Sequence, residues 1–287
     1  MIASFCYFVS LCSFFLIHIQ LEGTVKVRVG LIVIGDEIMS GKRKDSHFPA
    51  VVEMLEKRGI RLDWAVYLAD DPEKITEVLT ESFRTDDIVF SCGGIGGTPD
   101  DHTRRCVAAA LNVPLVLHPE AKEKINERTR DLAIEQGIAV DFSAPESVRR
   151  LRLGELPEGA GIIPNPVNKV PGFFVGTHYF LPGFPEMAHP MMEWVLETFH
   201  QAEFHRADLS EKELVVYEIP EARITPVMEE VEREFDQVRI FSLPHLAKEG
   251  RRSFIELGVR GEAAQVEAAF EKIKSELRHL NIEFEIN

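Results

Sequence analysis

The sequence predicts an α/β protein: a doubly wound, mostly parallel sheet over residues 25–200, followed by a small ferredoxin-like α+β domain over residues 211–287. Three observations carry that expectation. Apolar runs of strand length alternate with helical repeats from Val27 onward; a glycine run, Gly93-Gly94-Ile95-Gly96-Gly97, follows the third strand run; and after a polar linker, His200 to Ser210, the pattern restarts in the order βαββαβ.

Val27 to Ile34 is a near-continuous apolar run ending at Gly35, as a strand buried on both faces requires. Phe48, Val51, Val52 and Leu55 follow at helical spacing, and Gly59 closes that helix. Leu62 to Leu68 reads as a second strand. Asp71-Pro72 is an N-cap followed by a proline at the first helical position, and Ile75, Val78, Leu79 and Phe83 carry the helix. Asp87 to Cys92 is the third strand, running into the glycines. Val116 to Gly137 is expected to be helical, Leu156 to Gly176 to hold short strands and turns, and Phe173 to Leu181 to form a hairpin. A helix with Met191, Trp194, Val195, Thr198 and Phe199 on its apolar face follows. Beyond the linker, Leu214–Ile219, Val238–Leu243, Phe254–Val259 and Ile282–Ile286 read as strands. Helices are expected from Thr225 and along Val266, Phe270, Ile273, Leu277 and Leu280.

Composition narrows the function. The 287 residues carry 47 Asp and Glu against 32 Lys and Arg, a net charge of −15 that supplies no broad phosphate-facing field and excludes a dedicated nucleic-acid binder. With 45% apolar and 28% charged residues the chain is globular, and four cysteines rule out a disulfide scaffold. Residues 1–24 stand apart: Met1 to Leu21 has no charged side chain and holds Cys6 and Cys12. That length could span a bilayer, but a basic n-region and a small-residue cleavage site are both missing. Because all that follows reads as a cytoplasmic enzyme, the leader is expected to be an upstream extension from a wrongly chosen start codon, outside the fold, and a membrane partner is not expected. Cys92 and Cys106 fit a reducing compartment as small packing residues.

Three loops hold the chemistry. The first is Cys92-Gly-Gly-Ile-Gly-Gly-Thr-Pro-Asp-Asp-His-Thr103. Gly93, Gly94, Gly96 and Gly97 let the backbone turn tightly and approach a ligand, and the following helix start is an anion site. Thr98, Pro99 and Asp101 fit N-cap, N1 and N3 of a capping box, which accounts for Asp101 without a ligand. Capping does not account for glycines this dense beside Asp100 and Asp101. A phosphate-welcoming loop next to two carboxylates calls for a divalent cation between them. The second loop is Gly35-Asp36-Glu37-Ile38-Met39-Ser40-Gly41, at the carboxyl end of the first strand, where open α/β sheets bind ligands and where Asp36 can come near Asp101. Lys42-Arg43-Lys44 after it is the chain's only basic triplet, readable as a solvated loop or as a local phosphate clamp. The third is Leu181-Pro182-Gly183-Phe184-Pro185-Glu186-Met187, sound turn chemistry at a helix start. Neither a serine-hydrolase elbow nor zinc spacing of His and Cys is present.

Together these segments resemble the molybdopterin-binding-fold family (MoaB/Mog-like), and within it the competence/damage-inducible protein A branch. The resemblance covers Val27 to Phe199 and rests on Gly35 to Gly41, then Gly93 to Thr103, then Leu181 to Met187. It implies the molybdopterin-binding fold and a nucleotide or pterin ligand held by Gly35, Glu37, Ser40, Gly41, Asp45, Gly93, Gly94, Gly96, Gly97, Thr98, Pro182 and Gly183. The leading expectation is a metal-dependent nucleotide pyrophosphatase, a hydrolase releasing AMP from ADP-ribose or an FAD-like dinucleotide. Asp36 and Asp101 are its expected catalytic residues. Asp36, Asp100 and Asp101 are the expected holders of Mg, Mn or Co, with Asp101 favoured over Asp100 and no organic cofactor required. The alternatives are an adenylyltransferase or binding protein of molybdenum-cofactor assembly, and a non-catalytic binding module. A homo-oligomer is expected by analogy of fold. The sequence departs from the family where Lys42-Arg-Lys-Asp-Ser-His47 replaces its usual segment: Asp45 and Ser46 keep the acid and the hydroxyl, while His47 stands in place of Asn.

Overall fold

A computed structural model describes residues 28–205, 209–247 and 252–286; the apolar leader lies outside them. The chain runs through β1 (Val29–Ile34), a single turn α1 (Asp36–Met39), α2 (His47–Glu56), β2 (Trp64–Leu68), α3 (Pro72–Ser82), β3 (Ile88–Cys92) and α4 (Thr103–Leu111). It continues through β4 (Leu115–Leu117), α5 (Pro119–Glu135), α6 (Pro145–Leu151), β5 (Glu155–Pro157), β6 (Gly161–Ile163), β7 (Gly172–Val175), β8 (His178–Leu181) and α7 (Pro185–Phe199).

Every residue of β1 is buried because both of its edges and both of its faces are covered. It pairs in parallel with β2 on one side and β3 on the other. β3 pairs in parallel with β8, which turns back antiparallel through β7 to β6, so the six-stranded sheet has the order β2-β1-β3-β8-β7-β6. Side chains alternate across it. Val29, Leu31 and Val33 join Val51, Leu55, Met191 and Val195 on the face covered by α2 and α7. Ile32 and Ile34 join Ile75, Leu79, Cys106 and Val107 on the face covered by α3 and α4. Helices on both faces make the sheet doubly wound, as expected.

Three expectations are corrected here. Val116 and Leu117 belong to β4, which pairs antiparallel with β5, not to a helix. Pro119 is the reason: it can open α5 at the first helical position but holds His118 in extended backbone, and the His118 ring accepts from the Ala121 amide as the cap. α6 was not expected at all. The third correction concerns α4, which begins at Thr103 and not at Thr98.

The last unit is β9 (Leu209–Tyr217), α8 (Thr225–Glu234), β10 (Val238–His245), β11 (Phe254–Glu262), α9 (Ala263–His279) and β12 (Phe284–Ile286). Its four strands are antiparallel in the order β10-β11-β9-β12, the ferredoxin-like arrangement. Leu214, Val216, Leu257 and Val259 pack with Val231, Val266, Ile273 and Leu277 in a core of their own. Among the described residues no helix is long and apolar enough to cross a membrane.

Candidate functional site

Because β1, β3 and β8 are parallel neighbours, their carboxyl ends release the three motif loops side by side. The chain leaves β1 toward β2 on one side and reaches β3 on the other, so the crevice between β1 and β3 is the topological switch point of the sheet. Backbone bonds hold the exits: the Gly35 amide donates to Leu68 O at 3.0 Å and the Gly93 amide to Leu181 O at 3.0 Å. Gly93 has φ +108°, and a Cβ there would lie 2.1 Å from the Ile34 carbonyl oxygen. A Cβ on Gly183 would sit 3.5 Å from the Cα of Gly93. The motif loops thus meet at Gly93, where no side chain could fit, with Gly183 in van der Waals reach.

The glycine loop is closed on itself. Asp101 Oδ2 accepts from the Thr98 amide at 2.8 Å and from its hydroxyl at 2.6 Å, and the Asp101 amide donates to Thr98 O. Half of a capping box is therefore made, but in a turn that precedes the helix, because α4 begins only at Thr103, five residues on. A Cβ on Gly96 would lie 2.5 Å from Asp101 Oδ2, so Gly96 leaves the room in which that carboxylate folds back. Thr103, fully buried, staples the base of the loop, with its hydroxyl donating to Gly93 O and its amide to Gly94 O, both at 3.0 Å. Arg104 donates to Gly96 O and Arg152 O. Among the described residues, the amides of Gly94, Ile95, Gly96 and Gly97 donate to no protein acceptor.

The acidic side is arranged differently from the expectation. Asp36 is paired with Asp70, at the end of β2: the Asp36 amide donates to Asp70 Oδ2 at 2.8 Å and the Asp70 amide to Asp36 Oδ1 at 3.2 Å. Burial, with the charges of Asp36, Glu37 and Asp100, pushes the Asp70 carboxyl up. Asp100 thus acts on this group, while Asp101 is turned into its own loop. The trio Asp36, Asp100 and Asp101 is not assembled as a preformed cage, and among the described residues no three His, Cys, Asp or Glu side chains are placed to hold a metal ion. Two paired carboxylates nonetheless suit an octahedral cation that takes its remaining ligands from water and from a substrate's phosphate oxygens.

Beside this lies a small cavity of about 60 Å³, floored by Ile34 and Cys92 and walled by Glu37, Arg43, His47 and Gly183. Ser40 and Gly41 do not line it; they close α1, with the Ser40 amide on Asp36 O and Gly41 at φ +72° turning the chain into the basic triplet. Asp45 accepts from the His47 and Phe48 amides and from the Tyr67 hydroxyl at 2.7 Å, so it caps α2. Burial raises its pKa, but those hydrogen bonds outweigh it and hold the carboxyl below its ordinary value. His47 is buried, with Nε2 3.3 Å from Gly183 O and its ring edge-on to His189 at 5.3 Å. A carbonyl only accepts, so Nε2 carries the proton; burial pushes the ring's pKa down, keeping it neutral, and leaves Nδ1 a lone pair without a partner. Burial pushes the Cys92 thiol up, which leaves no thiolate for nucleophilic chemistry.

Asp70, His47, Thr103 and Arg104 had no place among the expected ligand-binding residues. Asp70 follows β2 by two positions, and in sequence it is only an acid before the Asp71 cap.

A sequence model of the family described as "Probable molybdopterin binding domain" matches residues 30–202. A protein of Pyrococcus furiosus is 32% identical over 220 residues, which is 75% of this chain and 84% of that one. A CinA-like protein of Anaeromyxobacter dehalogenans is 32% identical over 175 residues, but this chain spans only 40% of its length. Among solved structures, the CinA protein of Thermoplasma acidophilum is similar with TM-score 0.49 at 24% identity, over 59% of this chain and 96% of that one. With the matched region running from the first sheet strand to just past α7, the chain belongs to the molybdopterin-binding domain family.

Proposed function

We propose that the crevice binds a nucleotide diphosphate and that the chain is a divalent-cation-dependent nucleotide pyrophosphatase acting on ADP-ribose or an FAD-like dinucleotide. The observation that carries this reading is the run of four amides, Gly94 to Gly97, without protein acceptors, in a loop that leaves β3 beside the Asp36–Asp70 pair at the end of β1. Consecutive amides in a glycine loop form an anion cradle, and carboxylates near it are compatible with a phosphate only through a cation. A bound cation would polarise phosphorus and acidify a water ligand. The chain's own part is to hold the diphosphate against Gly94–Gly97 and to fix the carboxylates of Asp36 and Asp70. Water adds to one phosphorus, the bridging P–O bond breaks, and ADP-ribose becomes AMP and ribose 5-phosphate.

The test incubates the full chain with Mg, Mn or Co and ADP-ribose, FAD or NADH, and separates products by chromatography. Metal-dependent AMP release that falls at least a hundredfold in Asp36→Asn and Asp70→Asn supports the reading. AMP release unchanged in both variants, or none from any substrate, overturns it. The family description favours a second reading, a pterin ligand and adenylyl transfer onto molybdopterin, through the same loops with pterin in place of water as acceptor. AMP transfer from ATP onto molybdopterin, without hydrolysis of dinucleotides, decides for that one.

A further inference from the structure

The free amides of the glycine loop are aimed by the carbonyls of the same peptides. In a trans peptide the C=O and the N–H that follows it point in opposite directions, so a bond that fixes the one turns the other away. Gly93 O accepts from the Thr103 hydroxyl and Gly94 O from the Thr103 amide, both at 3.0 Å, which turns the amides of Gly94 and Ile95 away from the start of α4. Gly96 O accepts from Arg104 Nη2, which does the same for the amide of Gly97. An anion cradle needs this arrangement, since a carbonyl oxygen turned the other way would repel a phosphate.

The two residues do not share the loop equally. Thr103 grips its base with a backbone amide and a fully buried side chain. From Ile95 to Gly97, the bond from Arg104 is the only hydrogen bond to the rest of the chain among the described residues. Two glycines in a row leave the peptide between them free to rotate, so its direction depends on that bond. Arg104 is itself anchored, because Nη1 donates to Arg152 O just beyond α6. A planar guanidinium holds two acceptors at once in fixed directions, which an ammonium does not. The acids acting on its charge are Asp101 from the loop and Glu155 from β5, with Arg105 opposing them. Among the described residues neither acid is within ion-pair distance of Arg104, so the fork is spent on carbonyls. We propose that Arg104 is the positioning residue of the diphosphate site: by holding Gly96 O it keeps the amide of Gly97, and not the carbonyl of Gly96, turned to the ligand. This rests on the diphosphate reading above and names the side chain that makes the outer half of the loop an anion site.

The experiment follows the loop amides one by one. Backbone amide resonances of the full chain with Mg are recorded by NMR as ADP-ribose is added, and Kd is read from the same titration, in the unaltered chain and in Arg104→Met. In the unaltered chain the amide protons of Gly94, Ile95 and Gly97 are expected to move downfield on binding. In Arg104→Met the Gly97 amide is expected to stay in place while those of Gly94 and Ile95 still move. Kd is expected to rise roughly tenfold or more, as for the loss of a hydrogen bond to a charged group. A Gly97 amide that does not move in the unaltered chain overturns the proposal, and that result needs no variant to fold. An unchanged Kd in Arg104→Met, or a Gly97 amide that still moves there, also overturns it and leaves the diphosphate reading standing. Loss of the Gly94, Ile95 and Gly97 shifts together overturns it as well, because Arg104 then supports the loop as a whole and does not aim one peptide. No binding by the unaltered chain overturns the diphosphate reading and this proposal with it.

Discussion

At Gly93 one methyl group decides whether the three motif loops can meet. A Cβ there would fall 2.1 Å from a backbone oxygen, and φ is +108°, so Gly93→Ala has neither room nor an allowed backbone. Overpacking against a main chain that cannot step aside costs roughly 1–3 kcal/mol, and the backbone conformation adds about 1 kcal/mol more. Gly97 is the contrast, since its Cβ would meet only the Leu153 methyl, 3.2 Å away and at the end of a flexible side chain. Gly97→Ala is expected to change stability by less than about 1 kcal/mol. Urea denaturation of the two variants checks this; equal losses would show that the loop, and not the approach to Ile34, is what Gly93 serves. The glycine run was legible in the sequence as a loop. Which glycine is irreplaceable was not, because the clash partner sits on a different strand. Asp70 was hidden for the same reason: its pairing with Asp36 depends on two parallel strands lying side by side, and in sequence it is only an acid before a helix cap.

Elements behave as their ends dictate. Asp71 accepts from the Glu73 and Lys74 amides at 2.9 and 3.2 Å, the cap that the Asp-Pro signal called for. Asp71→Ala is expected to cost about 1 kcal/mol in thermal or urea melts; no loss would mean that Pro72 and tertiary packing hold the helix start unaided. β8 is tied to the end of α3 by a less legible device, in which buried His178 bonds the Ser82 hydroxyl at 2.7 Å and stacks on Phe83. Burial pushes its pKa down to about 4, against a weaker raising effect of Asp87. The folded ring binds its proton only below that value, while the unfolded chain takes one up near 6.5. Its share of stability is therefore complete above about pH 6.5, is lost as pH falls through the window, and reaches roughly 3 kcal/mol of loss near pH 4. In His178→Gln the slope of unfolding free energy against pH in that window is expected to flatten by about one proton. An unchanged slope would assign the proton uptake to His47, His189 or His200, whose pKa values burial also lowers. A histidine inside an apolar hairpin looks in sequence like any surface residue; only the packing of α3 against β8 makes it a buried one.

At the scale of the whole molecule, the buried apolar side chains of the described residues form three clusters, one on each face of the six-stranded sheet and one against the four-stranded sheet. The first two share β1 and β3 as their common wall, so they are expected to unfold together. The third draws every fully buried member from Leu214 onward, and sequence periodicity made it legible because α9 keeps one stripe, Val266 to Leu277, against alternating strands. What periodicity could not show was the strand order β10-β11-β9-β12, which depends on β9 pairing with β11 and β12 and not with its neighbour in sequence. We infer that this unit is a separate thermodynamic one. Leu257 is its most central strand residue, fully buried on β11 between β10 and β9. Leu257→Ala removes buried methyl groups and leaves a cavity, at a cost of about 2–5 kcal/mol. In calorimetry that loss is expected to lower one of two unfolding transitions and to leave the other in place, with ADP-ribose affinity unchanged because the crevice lies wholly within the first sheet. A single transition that moves as a whole would instead mean that the two sheets fold as one cooperative body, and that a substitution in the four-stranded core reaches the motif loops.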